Sequence, residues 1–412
     1  AVSLSERGSD ERFADLENVR LTVKLMPLLS RELTVEELLV QGAHVRVTRF
    51  SDGRLNIDDL FKSEGGTPAF DVGRVKLERS ALTYRDLSTG KQYEVSDISL
   101  ETGRVANAVA TPLKAAFSAS DTEHTFDVTS ALEGRLTVDP GRQRYAFDEA
   151  ALVIKGHVAG VTSAVLQVKG SFAADLKGGE FKAAPLSAVM SGTTGGETID
   201  VSVAAAAAVF GPTQAYAEPV TASMRASGAT GITRVDLEMP RLQREADTIS
   251  ATAAAWELNL RRGTRTVQLS TTSAIEASIS QRTLQLTRLD TKLSASGAPL
   301  PGKGVTGAFT GKASLDIAKE GVHASLNGRI DESRIKAEID AAGFAAPVYT
   351  FAVEIDQLDT DRYAAATPAR KSSTGALDVS SLSELPATGT LSIGVLKTAG
   401  VKASNVRLVI KP

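Results

Sequence analysis

From Leu21 to Ile410 the sequence repeats one signature: an apolar residue at every second position, broken by short glycine-bearing turns. Leu21, Val23 and Leu25 alternate with Thr22 and Lys24, Val45 and Val47 with His44, Arg46 and Thr48, and Val75 and Leu77 with Arg74, Lys76 and Glu78. The period returns in Ile199, Val201 and Val203, in Trp256, Leu258 and Leu260, in Val322, Ala324 and Leu326, and in Tyr349, Phe351, Val353 and Ile355. Successive side chains of a strand point to opposite faces, so each segment offers one oily face and one wet face. Such strands build antiparallel sheet with one solvated side. Where so many oily faces go decides what the chain does.

Turn signals fall at intervals of roughly ten to fifteen residues, near the spacing of all-β folds. Ser51-Asp52-Gly53-Arg54, Ser88-Thr89-Gly90-Lys91, Asp139-Pro140-Gly141, Lys177-Gly178-Gly179, Arg262-Gly263 and Lys319-Glu320-Gly321 each set glycine where a tight hairpin needs positive φ. The expected connectivity is therefore a meander. Helical signals are few. Pro27-Leu28-Leu29-Ser30 reads as a turn or single helical turn, and Val379–Leu385, after Asp378 as N-cap and before Pro386, reads as a short helix. Ala204–Ala208 extends the Ile199-Val201-Val203 alternation and is read as a strand of small residues rather than a helix.

With 42% hydrophobic and 23% charged residues, the 412-residue chain is globular in class and long enough for two or three ordinary domains. No linker composition interrupts the alternation before Ala364–Gly375, so one continuous sheet is preferred over an array of sandwiches. About thirty strands stacked about 4.8 Å apart make a sheet on the order of 140 Å long. The expected fold is all-β: an elongated, highly twisted, mostly antiparallel sheet curled into an open trough with an apolar interior and a few short helices near Leu28 and Leu382. The reading divides the chain into a trough over 1–350, a motif with polar insert and short helix over 351–390, and resumed strands over 391–412.

The sheet must cover its oily face with a second sheet, close as a barrel, or leave a groove. Many inward candidates are small: Ala115, Ala119, Ala251, Ala253, Ala277, Ala295, Gly307, Gly311, Ala313 and Ala324. Small residues beside Leu, Val, Ile and Phe fill a core poorly but leave room for an acyl chain. An exposed apolar strip of this length is a liability without a ligand. An outer-membrane barrel is disfavoured by one Trp and six Tyr, too few for aromatic girdles.

Other functions are disfavoured by composition. A net charge of −3 with no basic run gives no case for nucleic acid. The absence of cysteine removes disulfides and thiolate metal sites and is compatible with an envelope compartment. His44, His124, His157 and His323 lack zinc-site spacing, and Gly192–Gly196 lacks the lysine and helix of a phosphate loop. Asp356, Asp359 and Asp361 lack the mid-loop glycine and terminal glutamate of a calcium loop. No cluster of carboxylates on one strand face marks an enzyme. Neither catalysis, metal nor organic cofactor is expected. The chain opens at Ala1 without initiator methionine, signal peptide or membrane span and stops at Lys411-Pro412, so a piece of a longer protein is expected.

Two motifs carry a resemblance to a known family. The opening block, LTVKLMPLLSRELTVEELLVQGAHVRVTRFSDGRLNIDDL, with Leu28, Leu29, Arg49, Asp52-Gly53, Asn56 and Leu60, resembles the N-terminal signature of the AsmA family. About three hundred residues later, YTFAVEIDQLDTDRYAAA, with Asp356, Leu358, Asp359, Asp361, Arg362 and Tyr363, resembles that family's acidic LD-x-DRY element. The middle, about residues 105 to 290, is similar only in pattern and composition.

The resemblance implies a Gram-negative envelope protein, anchored in the inner membrane by an N-terminal helix absent from this chain, with its bulk in the periplasm. It also implies an architecture similar to bridge-like lipid transfer proteins, and a part in moving phospholipid towards the outer membrane and in outer-membrane integrity. The groove candidates are Val45, Val47, Val75, Leu77, Phe117, Val201, Val203, Leu258, Leu260, Leu326, Phe351 and Val353. The expected partners are phospholipid acyl chains, the inner membrane through the missing anchor, and outer-membrane or periplasmic proteins, with no nucleic acid. The alternative is a periplasmic scaffold that carries no lipid and assists outer-membrane protein assembly.

Overall fold

The computed structural model describes residues 2–5, 12–24, 35–58, 71–123, 125–158, 160–212, 214–297, 300, 304–363 and 387–411. It falls into two compact units, Ala1–Pro212 and Thr213–Pro412. The first holds β1 (Val2–Ser5), β2 (Arg12–Val23), β3 (Val35–Arg49), β4 (Asp71–Val72), β5 (Val75–Asp86), β6 (Gln92–Thr102), β7 (Val105–Ala106), β8 (Thr111–Asp121), β9 (Phe126–Asp139), β10 (Arg144–Val158), β11 (Val161–Asp175), β12 (Glu180–Thr194) and β13 (Glu197–Phe210). The second holds β14 (Ala215–Gly228), β15 (Gly231–Met239), β16 (Leu242–Glu245), β17 (Thr248–Arg262), β18 (Arg265–Ser278), β19 (Thr283–Ser296), β20 (Val305–Asp316), β21 (Gly321–Ile330), β22 (Ser333–Ala342), β23 (Val348–Asp359), β24 (Ala387–Thr398) and β25 (Val401–Ile410). Among the described residues the remaining regular element is a single 3-10 turn, Thr360–Arg362. The helical turns expected near Leu28 and Leu382 lie outside the described residues, whereas Ala204–Ala208 lies within β13 as a strand.

Each unit is a meander in which a strand pairs with its neighbour, but the sheet is mixed rather than uniformly antiparallel. β3 runs parallel to β4 and β5, and β23 runs parallel to β24. Parallel neighbours need a return connection of a dozen or more residues, which the chain supplies after Arg49 and after Asp359. Both family-like motifs end in these two connections.

Register, read from partner to partner, shows how one face stays apolar. In β3, Leu38 and Val40 are an odd step away from Val45 and Val47, so strict alternation would put the two pairs on opposite faces. Gly42 in β3, Arg79 in β5 and Asp97 in β6 adopt positive φ (61°, 49° and 52°) and absorb the extra residue as bulges. Leu38, Val40, Val45 and Val47 then lie beside Val75, Leu77, Leu82 and Tyr84. Leu77 lies beside Leu100 and Leu82 beside Val95. In β8, which alternates without a bulge, Ala115 pairs with Leu100 and Ala119 with Val95, placing the whole set on one face.

The same device recurs at Glu149, Ser163 and Arg288, with φ of 52°, 51° and 52°. In β17 the pairing steps from Ala251 to Ala254, so Ala253, expected to face inward, leaves the apolar face and Ala254 takes its place, fully buried. Two turns also differ in detail from the expected glycine placement. Positive φ falls on Gln143 and Glu320, not on Gly141 or Gly321. Asp139 and Asp316 accept hydrogen bonds from the N–H groups of Arg142 and Lys319, and the left-handed position comes last in the loop.

Candidate functional site

The described strands make their principal contacts with ladder neighbours, and among the described residues the burial pattern shows no second layer over the apolar faces. Buried hydrophobics are mostly alanines such as Ala164, Ala205, Ala208, Ala251 and Ala254, while most larger apolar side chains are half-buried or exposed. A sandwich would reverse that order.

In the first unit the apolar face runs from β3 to β13. Phe117 of β8 lies beside Ser130, and the ladder continues through Leu132, Leu152, Val168 and Ala188 to Val203. Val45, Val47, Val75, Leu77, Phe117, Val201 and Val203 therefore share one face, all half-buried except Val203, which is exposed. In the second unit Leu258 leads through Leu269 to Leu293, and Leu326 lies between Gly311 and Ala337, which pairs with Val353. Leu258, Leu260, Leu326, Phe351 and Val353 thus share that unit's apolar face, half-buried. The opposite faces carry Lys76–Glu78, Arg46–Asp15, Arg234–Asp236 and His323–Asp340 contacts at 2.5, 3.1, 2.7 and 2.8 Å. Alternation thus sorts oil from charge within each unit.

An apolar hollow of about 340 Å³ lies in the first unit, lined by Leu136, Phe147, Phe172, Phe181, Leu186 and Phe210. Phe181 and Phe210 are register partners and remain 49% and 58% exposed. Sequence reading singled out none of these as site residues. The available signal was positional: Phe147, Phe172 and Phe181 lie close to the turns after Asp139 and Asp175, which open at the same end of adjacent strands. Covering two half-exposed phenyl groups removes on the order of 200 Å² from water, a gain of about 5 kcal/mol to whatever covers them.

Elsewhere the small residues leave less room than their size implies. A Cβ on Gly307 would stand 2.9 Å, and on Gly328 2.6 Å, from the Phe309 ring. Phe351 covers Gly389 in the same way, at 2.7 Å.

The LD-x-DRY residues form a polar knot beside this face. Tyr363 donates from its hydroxyl to Asp331 Oδ2 at 2.8 Å, and the Arg362 guanidinium lies 3.2 Å from Asp331 and 3.9 Å from Glu332. Asp331 also accepts from the N–H and hydroxyl of Thr306 at 2.9 and 3.2 Å. Burial works to raise the Asp331 carboxyl, but the hydrogen bonds from Thr306 and Tyr363 and the Arg362 charge prevail and hold it below the usual range. The Tyr363 phenol is pushed up to about 12, by burial first and by its bond to Asp331 second.

Asp359 accepts from Lys397 Nζ at 2.7 Å, which lowers its carboxyl. Asp361 accepts from the N–H groups of Ala399 and Gly400, and Asp356 from those of Arg334 and Gln357. Leu358 pairs with the buried Leu396. The knot pins the end of β23 to the neighbouring turns just where the parallel return begins. Asn56 does the corresponding work after β3, accepting from Thr48 N–H at 2.9 Å and donating to the Arg46 carbonyl at 3.1 Å. Leu28, Leu29 and Leu60 of the opening motif lie outside the described residues.

Among the described residues no group of three His, Asp or Glu is placed to hold a metal ion, and no helix is long and apolar enough to cross a membrane. The family model described as the AsmA family matches residues 1–372. The chain belongs to the AsmA family. A curated relative, protein AsmA of Escherichia coli strain K12, is 26% identical over 159 residues, covering 32% of this chain and 25% of the relative. The match therefore spans about a quarter of that relative's length. No solved structure matches. The two motifs that first resembled the AsmA family are thus the segments that secure its parallel returns.

Proposed function

We propose that this AsmA-family chain is the lipid-binding groove of a periplasmic envelope protein that takes part in phospholipid transport between inner and outer membrane and in outer-membrane integrity. The observation that carries the reading is an apolar face in each unit with no described layer over it and a polar face behind it. Family membership adds support, since the family is associated with outer-membrane assembly and lipid transport. Sheet twist curls each face into an open trough, along which acyl chains slide passively while headgroups remain at the wet rim. No residue acts as a catalyst in this reading. In this reading the protein works from the inner membrane, on its periplasmic side.

A second reading, a scaffold for outer-membrane protein assembly, draws on β25, which among the described residues pairs only with β24 and leaves its other edge open to a strand. Lipid extraction and mass spectrometry on protein purified without detergent separate the two. The groove reading expects stoichiometric phospholipid in the parent, and its loss from a folded Val47→Asp, Leu77→Asp variant. A folded parent that carries no lipid and takes none from liposomes ends the groove reading and leaves the scaffold.

A further inference from the structure

In the second unit, direction alternates along the ladder, so the β14–β15, β17–β18, β21–β22 and β24–β25 turns all open at one end of the strands. Near these turns, basic residues are set directly opposite one another: Arg225 and Arg234, Arg262 and Arg265, Arg329 and Arg334, Lys397 and Lys402. Like charges at directly opposed positions destabilise a sheet. Carboxylates of the chain answer one member of two of these pairs, Arg234 through Asp236 and Lys397 through Asp359.

The carboxylates near this end are largely engaged. Asp236 holds Arg234, Asp331 and Glu332 hold Arg362, Asp359 holds Lys397, and Asp356 and Asp361 accept from backbone N–H groups. Among the described residues no carboxylate lies within ion-pair distance of Arg225, Arg261, Arg262, Arg334 or Lys402, all exposed. At the opposite end of the same strands, Glu245, Asp247, Asp316 and Glu320 stand against Arg244, Arg282 and Lys319. The excess of positive charge thus belongs to one end only.

We infer that this basic end of the second unit docks on an anionic phospholipid surface. The cations are strung along ladder steps spanning on the order of 50 Å, too far apart to converge on one soluble anion but suited to a row of headgroups. The inference rests on the lipid reading above only for the choice of a membrane over another polyanion.

The test is sedimentation of the chain with phosphatidylcholine vesicles, and with vesicles containing one third phosphatidylglycerol, at low and high salt. The parent is expected to bind the anionic vesicles at least tenfold better, with the preference collapsing at high salt. The combined variant Arg225→Gln, Arg262→Gln, Arg334→Gln, Lys402→Gln is expected to lose that preference while melting at or slightly above the parent's temperature and keeping any carried lipid. Equal binding of both vesicle types, or an unchanged preference in the folded variant, overturns the docking. A Phe181→Asp, Phe210→Asp variant separates the two claims. Loss of carried lipid with the anionic preference intact supports docking as a distinct property, and a parent without lipid that still prefers anionic vesicles leaves docking standing while the groove reading falls.

Discussion

The two units use the same alternation but finish their surfaces differently. In the first, three rim cations are matched: Arg104 with Asp71, Arg142 with Asp139 and Arg144 with Asp175, at 2.7, 3.2 and 3.1 Å. Its apolar face ends in a hollow with Phe181 and Phe210 half-exposed. In the second unit, Phe309 and Phe351 lie over glycines, and basic residues at one rim face each other. Local stability is served by the first arrangement of charge and sacrificed by the second. The difference teaches that the uncovered apolar hollow and the basic excess of the rim are separate features, removable one at a time.

The largest expected effect tests the Asp331 knot of the second unit. Asp331→Asn removes the charge that Arg362 faces and turns one of the two acceptor oxygens into a donor, and is expected to cost about 3 kcal/mol, read as a lowered denaturation midpoint. The same carboxyl sets an acid limb. Its folded pKa lies below the unfolded value of about 4, so its contribution is present above that value and is lost as pH falls through the folded pKa. Asp331→Asn should flatten that part of the stability profile.

The Tyr363 phenol, pushed up to about 12, gives the alkaline counterpart. Its stabilisation is full below the unfolded value of about 10 and fades as pH rises through about 12. A spectrophotometric titration with Tyr363→Phe as reference should show that shift, and Asp331→Asn should move it back towards 10; a phenol titrating at its ordinary value would remove the knot from the comparison.

Next in size is Phe309→Ala, which uncovers Gly307 and Gly328 and is expected to cost about 2 kcal/mol by urea unfolding. Phe181→Ala, at an already half-exposed ring, is expected to cost less than about 1 kcal/mol while lowering the lipid recovered by extraction. Equal destabilisation by both changes would erase the contrast between covering and exposed rings. The smallest effect is a gain: Arg225→Ser relieves opposition to Arg234 and is expected to raise Tm by about 1 °C, whereas Arg144→Ser in the first unit should lower it slightly.

Much of the fold was legible because alternation is a local property. The strands around Val45, Val75, Val201, Leu258, Leu326 and Phe351 lie where the pattern put them, and each set shares a face within its unit. Ala253 was misplaced because one extra residue in a bulge is invisible to a period of two. The phenylalanine hollow was missed because Phe147, Phe172, Phe181 and Phe210 come from separate strands and meet only through register. The motif residues Asp359, Asp361, Arg362 and Tyr363 were found by resemblance, but Asp331, which holds Arg362 and Tyr363, lies in a distant turn with no motif of its own.

By itself the sequence determined an all-β chain with one oily and one wet face, since strand geometry converts alternation directly into sidedness. Tertiary structure decided the rest: which bulges hold the apolar set on one face, where the two parallel returns fall, and which charges meet across the ladders. Those depend on pairing between segments far apart in the chain, and a one-residue change in register rewrites all of them.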